Sequence, residues 1–147
     1  MSDGDSVEIL LVEDNQADVE LTLRALRKAK LANPIHVVAD GAEALNYLFG
    51  TAKDNAKNDA HHPRLVIMDL KLPKVSGLDV LRRIKSDPAT RIIPVVVLSS
   101  SREAPDVKTA YALGVNSYIV KPVDFEKFVE AVGLLGMYWL LLNQGPH

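Results

Sequence analysis

Five polar residues lie at or just beyond the ends of apolar runs, and their side chains form a chemically coherent set. They are three carboxylates, one hydroxyl and one ammonium, contributed by Glu13, Asp14, Asp69, Ser99 and Lys121. Crowded carboxylates repel one another and favour a hard cation such as Mg²⁺, which shares its coordination shell with phosphate oxygens. An aspartate can also attack phosphorus, with a lysine offsetting charge at the transferring group. The set therefore favours magnesium-dependent phosphoryl chemistry.

A central strand must position Asp69. Residues 65–68 are four apolar residues in a row, the pattern of a strand that is buried on both faces of a parallel sheet. Asp69 follows this run directly, and burying an unpaired carboxylate would be costly. We therefore expect Asp69 to emerge at the carboxyl edge of the sheet, where open α/β folds bind their ligands.

Strands and helices alternate along the rest of the chain. Further strands are predicted at residues 7–12, 35–39, 92–98 and 115–120, and helices at about 16–30, from 41, at 76–87, from 105 to Gly114 and from 125. Connections of this length permit right-handed crossovers between parallel strands. The predicted fold is an α/β doubly wound, five-stranded parallel sheet with five helices on its two faces.

Composition excludes several classes of function. The chain has 147 residues, enough for one domain, and a net charge of −2 gives no electrostatic basis for binding nucleic acid. Zero cysteines exclude disulfides and thiolate metal sites and fit a reducing compartment. The acidic N-terminus lacks the features of a signal peptide, so a cytoplasmic location is expected.

Four motifs together resemble the receiver domain of two-component response regulators. The match covers nearly the whole chain, and the spacings of 30 positions from Asp69 to Ser99 and 22 from Ser99 to Lys121 agree with that family. The motifs are Val12-Glu13-Asp14-Asn15, Met68-Asp69-Leu70-Lys71-Leu72-Pro73 with Gly77, Leu98-Ser99-Ser100, and Tyr118-Ile119-Val120-Lys121-Pro122.

The resemblance implies a flavodoxin-like sheet of strand order 2-1-3-4-5 and phosphorylation of Asp69 by a histidine kinase. It also implies Mg²⁺ binding by Glu13, Asp14, Asp69 and the backbone carbonyl of Lys71. A protein of this kind is a phosphoacceptor with at most slow self-phosphorylation and self-dephosphorylation, and is not an enzyme in the usual sense.

The resemblance further implies a cis peptide bond at Lys121-Pro122 and a switch in which Ser99 and Tyr118 move together. The phosphoryl group adds charge and acceptor oxygens that the Ser99 hydroxyl can follow inward, leaving space for the ring of Tyr118. Such a change would reshape the surface of the fourth helix, last strand and fifth helix. An aromatic residue in a strand commonly serves only to pack against its neighbours, so a purely structural role is the simpler interpretation of Tyr118.

Two features set the chain apart from most receivers. One is a polar loop at residues 51–63, and the other is that the chain ends with its final helix, so no output domain is expected and residues 1–147 form a single domain. Single-domain receivers with such a loop and an aromatic-rich tail resemble the regulators that serve bacterial phytochromes and related sensor kinases. The apolar stretch 132–142 is too short to span a bilayer and is interpreted as a partner surface, for which a homodimer is expected.

Simpler interpretations exist for each motif. Taken singly, Glu13-Asp14 could be a solvated turn, Asp69 a strand-end cap and Lys121 an exposed lysine, and only their joint placement favours a site. His61 and His62 lie in a polar loop and are expected to be solvated, not metal-bound.

Other functions are disfavoured on chemical grounds. A phosphatase of the haloacid dehalogenase type needs an acid two residues after its nucleophile, where this chain has Lys71. A flavin mononucleotide carrier needs phosphate-binding hydroxyls and amides after its first strand, where Glu13 and Asp14 would repel phosphate. A phosphorylation-independent docking module remains the main alternative, although each of the five site positions has the residue type that phosphorylation needs.

Overall fold

The computed structural model describes the backbone of residues 9–31, 34–50, 60–100 and 104–143, and the side chains within these ranges except those of residues 104 and 135–143. Strands and helices alternate as predicted. The strands are β1 (Ile9–Val12), β2 (Ile35–Val38), β3 (Leu65–Asp69), β4 (Val95–Ser99) and β5 (Ser117–Val120). The helices are α1 (Gln16–Lys28), α2 (Gly41–Phe49), α3 (Gly77–Ser86), α4 (Ala104–Leu113) and α5 (Phe125–Asn143).

All strand pairs are parallel, and the order across the sheet is β2-β1-β3-β4-β5. This confirms the predicted fold class and strand order. The order reverses direction between β1 and β3, where the chain leaves the centre of the sheet first to one side and then to the other. Open α/β sheets bind ligands outside the carboxyl ends of the strands at such a point.

The two faces of the sheet carry separate apolar cores, because successive side chains of a strand point to opposite faces. One face, with Leu10, Val66, Met68, Val95 and Val97, is covered by α2, α3 and α4. The other face, with Ile9, Leu11, Ile67, Val96 and Leu98, packs against α1 and α5. This two-sided burial explains why the central strands read as continuous apolar runs in the sequence.

Side-chain caps fix where the helices begin. Asn15 and Ser76 accept hydrogen bonds from the backbone N–H groups of Asp18 and Asp79, at 3.0 and 3.2 Å. The predicted capping pair at α2 is present, since the Asp40 carboxylate accepts from the Glu43 N–H at 2.8 Å. The Glu43 side chain reaches back to the N–H of Ala39, one residue before the cap. Such caps typically contribute about 1 kcal/mol each.

Two strands begin later than the sequence predicted. The prediction placed β4 at 92–98 and β5 at 115–120, whereas they begin at Val95 and Ser117. Ile92 is 66% exposed, and the N–H of Ile93 closes a turn on the carbonyl of Thr90. Apolar residues of the connecting turns were thus mistaken for strand, because a short apolar run does not distinguish a strand from a buried turn.

The two sequence features specific to this chain fall partly outside the described residues. Most of the loop predicted at 51–63, residues 51–59, lies outside them. The backbone of α5 continues through residues 132–142. Within the described part of the chain, none of the helices combines the length and apolar character needed to cross a membrane.

Candidate functional site

The strand register brings the predicted residues to one edge of the sheet. Asp69 is the last residue of β3 and pairs with Leu98, and Ser99 at the end of β4 pairs with Val120. Val12 at the end of β1 pairs with Met68. The residues that follow these positions, Glu13 and Lys121, therefore emerge beside Asp69, as predicted from the parallel topology.

The Lys121 ammonium is the centre of the site. Its Nζ donates to Asp69 Oδ2 at 2.8 Å and to Glu13 Oε1 at 3.0 Å. It also donates to Asp18 Oδ2 at 2.7 Å. An ammonium has three N–H donors, so all three are engaged by carboxylates. The predicted pairing of Lys121 with Asp69 is confirmed as one of three such contacts.

Asp18 was missed by sequence reasoning. It lies in the first turn of α1, where an acidic residue is already favourable because of the helix dipole, so its type alone suggested nothing more. Its position is informative in retrospect. Asp18 is the third residue of α1, whose N-cap Asn15 directly follows the site residue Asp14. The first turn of this helix therefore begins beside the strand ends, and Asp18 reaches Lys121 from there.

Glu13, Asp14 and Asp69 form an acidic cluster suited to a divalent cation. One carboxylate oxygen from each lies within 4.8 Å of the others, with Glu13 and Asp69 buried and Asp14 exposed. Both buried carboxylates are held in place, since Glu13 Oε2 accepts from the N–H of Asn15 at 3.1 Å and Asp69 Oδ1 from that of Lys71 at 3.0 Å. Hard oxygen ligands, two of them fixed and one open to solvent, fit a partly hydrated Mg²⁺ or Mn²⁺.

Burial and mutual repulsion shift the titration of the site. Burial raises the pKa of the Glu13 carboxyl to about 7, and the charge of Asp69 adds to the rise against the opposing hydrogen bond from Lys121. Burial by itself lowers the pKa of Lys121, but the hydrogen bonds to Asp18, Asp69 and Glu13 outweigh it and raise that pKa above its ordinary value. Lys121 is therefore a permanent cation, whereas Glu13 changes charge near neutral pH.

Close backbone packing holds the segment between Asp69 and α3. The N–H of Gly77 donates to the carbonyl of Leu70 at 2.9 Å, and that of Leu70 donates to the carbonyl of Leu98 at 3.2 Å. A Cβ on Gly77 would lie 2.5 Å from the Leu70 Cα. Only glycine permits this approach, which fixes the backbone of Lys71 next to the carboxylates.

Ser99 and Tyr118, the two residues of the predicted switch, lie on the neighbouring strands β4 and β5. Ser99 is fully buried at the end of β4, and its carbonyl accepts from the N–H of Lys121 at 2.8 Å. Tyr118 is partly buried in β5 and packs against the core on the α4 side of the sheet. Its N–H donates to the Tyr111 hydroxyl of α4 at 3.2 Å. The Lys121-Pro122 peptide bond is cis, as the resemblance implied.

His61 and His62 are exposed, as predicted, but His61 also has an aromatic partner that was not predicted. Its ring stacks on Tyr47 with centroids 4.7 Å apart, and Tyr47 stacks on His36 at 4.3 Å. The backbone N–H of His61 also donates to the carbonyl of Tyr47 at 2.8 Å. His61 is therefore both exposed to solvent and in contact with Tyr47. It joins the end of the preceding loop to α2 and β2, a contact between residues too far apart in sequence to be read from local composition.

A family model and several known proteins match this chain. The model described as the response regulator receiver domain matches residues 9–133. "Probable methanogenesis regulatory protein FilR2" of Methanothrix harundinacea is 41% identical over 138 residues, covering 94% of this chain and 86% of that protein. Response regulator Rcp1 of Synechocystis is 34% identical over 132 residues, covering 90% and 88%.

Solved structures extend these similarities. The bacteriophytochrome response regulator RtBRR is 50% identical with a TM-score of 0.77, covering 96% of this chain and 84% of that one. The phosphorylated cyanobacterial phytochrome response regulator RcpA is 39% identical with a TM-score of 0.75, covering 92% and 94%. The Mn²⁺-bound form of Rcp1 is 32% identical with a TM-score of 0.76, covering 96% and 97%.

Proposed function

Because the chain belongs to the response regulator receiver family, we propose that it is a phosphoacceptor switch that takes a phosphoryl group on Asp69 from a histidine kinase. One observation carries the proposal. Asp69 is buried at a carboxyl edge of the sheet, contacts the Lys121 ammonium at 2.8 Å and shares an acidic cluster with Glu13 and Asp14.

The proposed reaction is transfer of a phosphoryl group between two nucleophiles. A carboxylate oxygen of Asp69 forms a bond to phosphorus as the P–N bond to the kinase histidine breaks. The imidazole leaves with the electron pair of that bond and takes up a proton. Asp69 then carries an acyl phosphate, and the carboxylate charge is replaced by that of the phosphoryl group.

The residues around Asp69 have different proposed roles in the reaction. Lys121 is a permanent cation and offsets charge on the phosphoryl oxygens during transfer. Glu13, Asp14, Asp69 and the backbone carbonyl of Lys71 are proposed to hold Mg²⁺. When bound, Mg²⁺ would neutralise phosphoryl charge and orient the donor. The fixed carboxylates of Glu13 and Asp69 and the Mn²⁺-bound form of Rcp1 support this assignment.

The proposed output is a protein contact on the α4–β5–α5 surface. Ser99 and Tyr118 connect the site to this surface, because Ser99 adjoins Lys121 and Tyr118 contacts Tyr111 of α4. A surface cavity of about 390 Å³ lies there, lined in part by Tyr111, Tyr118, Pro122, Lys127 and Ala131. We propose that phosphorylation moves Ser99 and Tyr118 together and reshapes this cavity.

The sensor kinase is proposed to be of the phytochrome class, and the active form a homodimer. RtBRR and RcpA are named for phytochromes, whereas FilR2 is named for methanogenesis, so the receiver family alone does not decide the partner. The apolar stretch 132–142 of α5 is the proposed dimer contact. Light scattering coupled to size-exclusion chromatography tests the assembly. A monomeric mass that phosphorylation leaves unchanged would argue against the dimer.

The proposed reaction is stoichiometric transfer of one phosphoryl group, not repeated hydrolysis of phosphate esters. Lys71 stands where a phosphatase of the aspartate-nucleophile type needs an acid, and its N–H donates to Asp69 Oδ1. The alternative of a docking module that needs no phosphate is addressed by the same experiment as the main proposal.

That experiment is intact-mass spectrometry after incubation with Mg²⁺ and acetyl phosphate. We expect one added phosphoryl group in the wild type and none in Asp69→Asn. Asp79→Asn is the matched control, since Asp79 is an exposed helix-start aspartate paired only with Arg82 among the contacts described here. No addition to folded wild type with Mg²⁺ present would reject the switch and favour the docking module.

A further inference from the structure

Asp18 makes the shortest of the three contacts to Lys121, yet it lies outside the acidic cluster of Glu13, Asp14 and Asp69. Its Oδ2 is 2.7 Å from Nζ, and the contact joins residues 103 positions apart in sequence. Such an ion pair at an exposed surface would contribute little. Here the Lys121 side chain is only 15% exposed and that of Asp18 27%, so the pair is largely shielded from solvent.

The backbone of Asp18 is fixed on both sides. Its N–H donates to the Asn15 side chain at 3.0 Å, and its carbonyl accepts from the buried hydroxyl of Thr22 at 2.8 Å. The helix therefore holds the carboxylate toward the strand ends. An acid in a first turn also interacts with the helix dipole, but that interaction does not require a contact with a lysine on another element.

The contact between Asp18 and Lys121 affects how Lys121 can bind a phosphoryl group. Lys121 has three donors, and Glu13, Asp18 and Asp69 occupy all of them. A phosphoryl oxygen that binds Lys121 must displace one carboxylate or share its donor. Phosphorylation itself removes the carboxylate charge of Asp69, which weakens that contact. Asp18 undergoes no such change and continues to compete for the ammonium.

The total charge of the site also disfavours an incoming phosphodonor. Together with Asp14 there are four carboxylates, which carry four negative charges. Lys121 and a bound divalent cation neutralise three of these charges, so one negative charge remains. A phosphodonor is itself an anion and is repelled by that excess. Removing the Asp18 charge would bring the formal balance to zero and weaken the hydrogen bond that holds one donor of Lys121.

We propose that Asp18 is a positioning residue that restrains Lys121 in the unphosphorylated protein and thereby slows phosphorylation of Asp69. The inference rests on the proposed function and adds a residue that limits its rate. It predicts that a neutral side chain at position 18 accelerates the reaction.

The test is the initial rate of phosphorylation by acetyl phosphate in saturating Mg²⁺, followed by intact mass. Asp18→Asn keeps an oxygen that can accept from Lys121 and removes only the charge. We expect its rate to rise about threefold to tenfold, and the excess over wild type to shrink as salt is added. Glu20→Gln is the matched control, because Glu20 is an exposed acid of the same helix that contacts Gln16. Its rate should stay near that of wild type.

Two further variants separate charge from structure. Asp18→Glu restores a carboxylate and should return the rate toward wild type, whereas a purely structural role would not be rescued by the longer side chain. Asp18→Ser suits a helix start and provides a second neutral variant should Asp18→Asn not fold. Beryllofluoride, a phosphoryl mimic titrated by ¹⁹F NMR, should bind both neutral variants more tightly than wild type by a similar factor.

The outcomes distinguish this inference from the proposed function. If wild type is phosphorylated and folded Asp18→Asn reacts at the same rate or more slowly, Asp18 does not restrain Lys121. An equal acceleration in Glu20→Gln would reduce the effect to net charge and also overturn the inference. If wild type accepts no phosphoryl group and binds no beryllofluoride, the proposed function itself fails.

Discussion

At the scale of single residues, the site is a partly buried ammonium surrounded by more negative charge than it can neutralise. Removing one partner of such a group leaves the others uncompensated, which commonly costs about 3–5 kcal/mol for a buried pair. We therefore expect Lys121 to stabilise the acidic edge in the absence of metal, in addition to its proposed role in phosphoryl transfer. The raised pKa of Glu13 shows where the balance is least favourable, because this carboxyl is the one that gives up its charge near neutral pH.

Glu13 should make the metal-free protein less stable as pH rises. Its pKa is about 7 in the folded state against 4.5 ordinarily, so the folded protein binds more protons than the unfolded chain between these values. The free energy of unfolding then falls through that window, by up to about 3 kcal/mol from this group. Glu13→Gln removes this dependence, and in EDTA we expect it to exceed wild type in stability at about pH 8 but hardly at about pH 5.

Urea unfolding across this pH range measures the difference between Glu13→Gln and wild type. Glu20→Gln provides the control, since the exposed Glu20 carboxylate lies outside the Lys121 cluster. A difference between wild type and Glu13→Gln that stays constant with pH would show that Glu13 does not titrate as described.

At the scale of elements, three glycines allow two effects to be compared. Two of them are required by close backbone packing, and the third lies in a helix where alanine would fit. An added Cβ would lie 2.0 Å from the Val75 carbonyl oxygen at Gly41 and 2.6 Å from the Asp69 carbonyl oxygen at Gly77. At Gly133, inside α5, the nearest atom is the Cβ of Ala29 at 3.5 Å, an ordinary contact.

We therefore expect opposite effects from the same substitution. Gly41→Ala and Gly77→Ala force backbone shifts beside the site and should destabilise by about 2 kcal/mol or more. Gly133→Ala should stabilise by about 0.5–1 kcal/mol, because alanine favours helix over glycine. Chemical denaturation of the three variants measures these changes. A loss of stability in Gly133→Ala equal to that of the other two would refute the packing argument.

The elements were largely predictable because the three central strands, β1, β3 and β4, are buried on both faces and several helices have local start signals. Asn15, Ser76 and Asp124 cap helices through side chains that any reader of the sequence can identify. The starts of β4 and β5 were not predictable, because the turns before these strands also contain apolar residues, which extend the apolar run in the sequence. In these turns tertiary packing, not periodicity, decides where the strand begins.

At the scale of the whole molecule, the site is assembled from the carboxyl ends of four strands and the start of α1. All five candidate residues were predicted to converge because a parallel sheet places strand ends together. Glu13, Asp14, Asp69 and Lys121 do so. Ser99 lies at the end of β4, the strand next to β3. Asp18 and the His61 stack were not predicted. Both depend on contacts between side chains of distant elements, for which the sequence carries only a weak spacing signal.

Metal binding should stabilise the whole fold through the acidic cluster. Mg²⁺ at about one hundred times its dissociation constant should raise the free energy of unfolding by about 2.7 kcal/mol. Asp14→Asn removes the exposed ligand without disturbing the contacts of Lys121, so the stabilisation should be largely lost. Asp79→Asn should retain it. Thermal unfolding with and without Mg²⁺ measures both. Equal stabilisation of wild type and Asp14→Asn would place the cation elsewhere.

The central claim is that the phosphoryl group resides on Asp69. Its most direct test is borohydride reduction of the phosphorylated protein, which converts an aspartyl phosphate to homoserine, followed by peptide mass spectrometry. We predict homoserine at position 69 only, dependent on Mg²⁺ and on the phosphodonor. Homoserine at another aspartate, or a phosphoryl group on a histidine or serine with position 69 unmodified, would contradict the account.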